Sequence, residues 1–113
     1  MSAQPIIPAE VWPMASFMAE EMEARGWTAV DVAQRMPGDY EKNALIVNLL
    51  LVVNKENLII DSVECSRLGE AFGVDGEYFL NLHRYWLDHP IARQEFKCPE
   101  HLLGGLLFPD NDK

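Results

Sequence analysis

Cysteine is scarce in this 113-residue chain: Cys65 and Cys98 are the only two, and they stand far apart. A disulfide framework is therefore excluded, and a reducing cytoplasm is the expected setting. Cations are scarce too. Asp and Glu number 18 against 9 Lys and Arg, for a net charge of −9 spread along the chain with no basic stripe anywhere. Phosphate neutralisation by Lys and Arg supplies most of the affinity for nucleic acid, so this composition argues against strong DNA binding. It suits a basic protein partner, or solubility alone.

No apolar run is long enough to cross a bilayer. The most apolar stretch, Ala44 to Val53 (ALIVNLLLVV), is broken by Asn48 and followed by Asn54, Lys55 and Glu56. The N-terminal MSAQPIIPAEVWP has no positive region and carries prolines where a signal peptide needs a helical apolar core. Internal repeats and low-complexity tracts are missing. So are Ser-His-Asp or Cys-His ordering, a Gly-rich phosphate loop, HExxH and a paired-carboxylate cleft, and no catalytic residue or cofactor is expected. Cys98-Pro-Glu-His101 has the look of half a zinc site, but zinc wants paired spacings and the second pair is lacking, so no metal is expected. Cys65 reads as a buried structural thiol and His83 as polar decoration of a helix.

What remains is one domain's worth of short amphipathic segments. Pro5 and Pro8 make residues 1–9 an extended arm. Helical spacing begins after Pro8 or at Pro13, with Val11, Ala15, Met18 and Met22 on one face and Gly26 as the stop. Thr28 with Asp31 opens a second helix that buries Val32, Ala33 and Met36 and ends at Pro37-Gly38. Asp39 caps a third helix to Asn54, with a strand as the alternative because Ile46, Val47, Val52 and Val53 are β-branched. Asp61 with Glu64 opens a fourth, lined by Cys65, Leu68 and Phe72 and closed by Gly73. Asp75 caps a fifth whose face is Phe79, Leu82 and Trp86, ending at His89-Pro90. Trp12, Trp27, Trp86 and Phe17 stand at core spacing. The expected organisation is an arm over 1–9, an all-α five-helix domain over 10–90, and a C-terminal tail over 91–113 that packs on the body or on a partner.

The run from Met18 to Met36, MAEEMEARGWTAVDVAQRM, resembles the first two helices of the HigA-type antitoxins of the XRE group. Ile60-Asp61, Leu68, Ala71 and Gly73, then Glu77-Tyr-Phe-Leu-Asn-Leu-His83, are similar to that family's fourth and fifth helices, most specifically at Leu80-Asn81-Leu82. The resemblance covers about residues 10–88. It implies a lambda-repressor-like helix-turn-helix fold and a dimeric, DNA-binding transcriptional regulator that neutralises a small basic toxin. The middle departs from the pattern. The turn before the third helix reads Pro37-Gly-Asp-Tyr-Glu-Lys-Asn43, and no Arg lies between Arg35 and Arg67.

In the slot where the family reads bases, only Lys42, Asn43, Asn48 and Lys55 are of a suitable type, Asn for adenine and Lys for phosphate. The remaining side chains there are apolar. Leu45, Leu49, Leu50 and Val53, with Leu103, Leu107 and Phe108 of the tail, are the candidate interface residues, toward a second copy or another protein. Two expectations therefore compete: a DNA operator read by a weakened or altered recognition helix, and a protein-interaction or dimerisation module that keeps the fold.

Overall fold

The computed structural model describes residues 10–53 and 60–104. Among these, regular structure is helical, and the one β feature is an isolated parallel bridge between Val11 and Arg93. Six α-helices and one π-helical turn follow in order. Their ends are written in short-range chemistry. Pro13 precedes α1 (Met14–Arg25), where its missing N–H costs nothing, and Gly26 closes that helix at φ 70°, a left-handed conformation that suits a residue without Cβ. The backbone N–H of Thr28 donates to the Asp31 carboxylate at 2.8 Å, completing the capping box that starts α2 (Ala29–Arg35). Asp39 accepts from the Lys42 N–H at 3.1 Å and starts α3 (Tyr40–Asn48), which runs straight into the π-helical turn Leu49–Val53. The β-branched residues of this stretch thus sit in helix, not strand.

The Glu64 N–H donates to the Asp61 carboxylate at 3.0 Å and the Asp61 N–H to the Glu64 carboxylate at 3.1 Å, starting α4 (Ser62–Phe72). Asp75 accepts from Glu77 N–H at 3.0 Å to start α5 (Gly76–Asp88), which stops at His89, just before Pro90. A single turn, α6 (Glu100–Leu103), follows Pro99. The expected five helices are all present; α6 is the addition.

The core gathers residues of all six helices and the π turn. Met14, Met18 and Met22 of α1 meet Val32 of α2, Leu68 of α4 and Phe79 of α5, all essentially inaccessible to water. Phe17, Phe79, Phe72 and Trp27 continue from ring to ring at centroid separations of 5.6, 5.8 and 5.7 Å, within the range where tilted and edge-on aromatic pairs attract. Helices α4 and α5 approach so closely that two glycines are required. A Cβ on Gly69 would collide with the carbonyl of Val74, and one on Gly76 would lie 2.6 Å from Ser66 Cα.

Four side chains depart from their expected surroundings. Trp12 is exposed, because it precedes α1 and shares no helical face with Ala15 and Met18. Val11, expected on that helix face, is buried instead through the bridge to Arg93, sharing a small second cluster with Trp86 and Ala92. His83 is buried and stacks on Trp86, since positions 79, 83 and 86 form the inward stripe of α5 and push Leu82 to its margin. The segment expected as a tail belongs to the body as far as it is described: Ala92, Cys98 and Leu102 are buried, and His101 Nε2 sits 2.9 Å from Glu23 Oε1 of α1.

Candidate contact surface

The unit α2–turn–α3 is held together by one amide. Asn43, on the first turn of α3, is completely buried, and its Nδ2 points at the carbonyls of Ala33, Met36 and Pro37 at 3.4, 3.2 and 3.2 Å. The last carbonyls of a helix have no partner within the helix, so a side chain supplied from the next one satisfies them where water cannot reach. Asn43 Oδ1 has no partner of its own, which makes the site costly as well as specific. The Asn43 donors are thus committed to the end of α2 and the turn after it, and the side chain is closed off from solvent. Asn48, 8% exposed, is likewise buried. Of the four residues expected to touch DNA, only Lys42 is exposed among those described, while Lys55 lies outside the described residues.

The apolar residues divide the opposite way. Val47, Leu50 and Leu51 enter the core, Leu50 at 2% exposure, so Leu50 serves this chain's interior and not an interface. Leu45 is 54% exposed, Val52 51% and Val53 38%, with Leu49 half-buried between them. Leu45 and Leu49, four apart, lie toward the same side of the helix, and Val52 and Val53 of the π turn are exposed beyond them. Within the π turn Leu50 and Leu51 face inward and Val52 and Val53 face outward. Fully burying a side chain of this size is worth roughly 1.5–3 kcal/mol, and these half-exposed side chains forgo part of that. From the tail, Leu103 is half-buried against the core, and Leu107 and Phe108 lie outside the described residues.

Charge around this unit is balanced locally. Arg35 lies 4.3 Å from the Trp27 ring centroid and Arg25 4.9 Å, each also beside a carboxylate of its own helix, Asp31 at 3.7 Å and Glu21 at 3.1 Å. The two guanidinium groups thus cover an indole and do not make a phosphate track. No carboxylate occurs from Lys42 to Val53. The thiols are quiet. Burial, with the Glu64 and Asp61 charges adding and Arg84 opposing, pushes the Cys65 thiol up to about 11, and burial also raises Cys98. Cys98 and His101 do not converge on a metal site, for the thiol lies near the Pro99 carbonyl at 3.5 Å and the imidazole turns to Glu23. Among the described residues no group of three or more His, Cys, Asp or Glu could hold a metal ion, and no helix is long and apolar enough to cross a membrane.

Position 43 shares a helical face with Val47 and Leu50, but only the structure shows that this face is the buried one. No protein-family model matches this chain, and neither does any curated protein or solved structure.

Proposed function

We propose that this chain is a non-enzymatic protein-contact module on a lambda-repressor-like helix-turn-helix scaffold, with the outer face of α3 and its π turn as the contact surface. One observation carries the reading: the polarity of α3 is inverted relative to a helix that reads DNA. Its two asparagines face the core, and Leu45, Val52 and Val53 face water. A recognition helix must offer donors and acceptors to base edges and cations to phosphates, and α3 exposes one cation, Lys42, with Tyr40 and Glu41 as its other exposed polar side chains, all in its first turn. The order of helices, the Thr28–Asp31 capping box and the docking of α3 on α2 through Asn43 support the scaffold assignment. The HigA-like resemblance supports a regulatory role beside it, with the exposed carboxylates of Glu20 and Glu23 on α1 and Glu70 on α4 suited to a basic toxin-like partner.

The competing reading is a HigA-like regulator that binds an operator through α3. A mobility-shift titration against the DNA upstream of the chain's own gene, at two salt concentrations, separates the two. The contact module gives no site-specific band even at low salt. A discrete band that weakens steeply with salt and is lost in Lys42→Ala would overturn it.

A further inference from the structure

We infer that the segment from Cys98 to Gly104 is a detachable strap, and that the site it covers on α1 and α2 takes a short helical segment of a partner protein in which a cation precedes a leucine. The inference goes beyond the α3 face. In setting a partner's cation on Glu23 it rests on the reading of the α1 carboxylates as a partner surface, and it adds the device that regulates access to them.

The docking of the strap shows what the site accepts. Helix α6 packs on both α1 and α2. Leu102 enters the main core with 4% of its surface exposed. One residue before it, His101 Nε2 donates to the Glu23 carboxylate at 2.9 Å. Two residues after it, Gly104 meets the N-cap of α2 in a left-handed conformation, φ 58°, and a Cβ there would lie 2.6 Å from Thr28 Oγ1. The site therefore asks for an apolar side chain, a donor beside it, and bare backbone where the chain passes Thr28.

The same contacts make the strap releasable. A four-residue helix does not hold its shape alone, because nucleation costs more than one turn returns. The His101 and Glu23 side chains are 63% and 61% exposed, and an ion pair so wet holds little. A terminal segment tied by few buried side chains opens before the body unfolds. Charge selects what replaces it. Imidazole is a cation only when protonated, whereas Arg or Lys brings a permanent charge to Glu23 in a chain whose net charge is −9.

The test uses the full chain and its two thiols, Cys98 in the strap and Cys65 in α4, both buried. With an aromatic disulfide reagent in native buffer, Cys98 is expected to react at least tenfold faster than Cys65. Equal rates overturn the strap and leave the α1 carboxylates as a partner surface. Leu102→Asp and Gly104→Val each hold the strap open and speed Cys98 a further tenfold with unchanged dichroism, and either serves if the other does not fold. The probe is a labelled peptide of residues 97–104 carrying Cys98→Ser and His101→Arg. It binds an opened variant at least tenfold more tightly than wild type, where the tethered strap competes. Glu23→Gln in the opened variant weakens that binding severalfold. No binding by a folded, opened variant overturns the site, as does equal affinity for wild type. An affinity indifferent to Glu23→Gln overturns the reading of that carboxylate as a partner's anchor. None of these measurements involves α3 or an operator, so the α3 reading stands or falls separately.

Discussion

Helix α4 turns Cys65, Leu68 and Phe72 inward and leaves Ser66 and Glu70 in water; helix α3 turns Asn43 and Asn48 inward and leaves Leu45 in water. Both helices begin at an aspartate cap, and both bury one stripe against the same core. They differ in what lies opposite. Around α4 the neighbour is α5, met at glycine-to-backbone distance, so apolar side chains and bare backbone fill the seam. Around the start of α3 the neighbour is the carboxyl end of α2, a cluster of carbonyls that no leucine could satisfy. A helix face is chosen by what it must pair with, and hydrophobicity decides only where the opposing surface is itself apolar.

That contrast can be broken most severely at the α4–α5 seam. Gly69→Ala or Gly76→Ala forces a methyl group into backbone atoms and should cost about 3 kcal/mol, the upper end of overpacking penalties. The measurement is the urea midpoint, and a midpoint unchanged from wild type would mean the helices do not approach as described. Comparable in size is Leu50→Ala, expected to cost about 2–5 kcal/mol by opening a cavity in the core. A urea midpoint equal to wild type would mean that the apolar run is not divided into an inner and an outer face as described.

Asn43→Ala strips α2 of its terminal donor and leaves buried carbonyls unpaired. About 1–3 kcal/mol of stability should be lost, with amide exchange rising first along the α2–α3 turn. Protection there equal to wild type would show that water takes the amide's place. The smallest effect is the Cys65 thiol. Its proton is held more tightly in the folded chain, about 11 against an ordinary value of 9.0, so the unfolded chain deprotonates first as pH rises. The thermal midpoint should therefore be indifferent to this group below pH 9 and should fall between about 9 and 11, relative to Cys65→Ala. Equal slopes for the two proteins in that window would place the thiol in contact with solvent.

Much of the architecture was legible without coordinates. Gly26 and Gly73, Pro37 and Pro90, the capping pairs at Thr28 and Asp61 and the caps Asp39 and Asp75 marked where helices begin and end, because those signals act over three or four residues and need no distant partner. The inner face of α4 was legible for a related reason: only one of its faces is apolar. The run from Ala44 to Val53 was illegible in the same terms. Leucine, isoleucine and valine surround that helix on nearly every side, and a pattern without contrast names no face. His83 was read by residue type where helical phase decides, and Trp12 by a helical spacing that the start of α1 at Met14 does not reach.

Local chemistry set the number of helices from α1 to α5 and the caps at which α2 to α5 begin, since each cap satisfies backbone groups a few residues away, while the passage of α3 into a π turn after Asn48 carried no local signal. Tertiary structure decided the fate of the central apolar run. The carbonyl end of α2 draws Asn43 inward, and helical geometry then carries Val47, Leu50 and Leu51 into the core behind it. The π turn leaves Val52 and Val53 outside with Leu45. One buried amide therefore selects which leucines this protein keeps for its own core and which it presents.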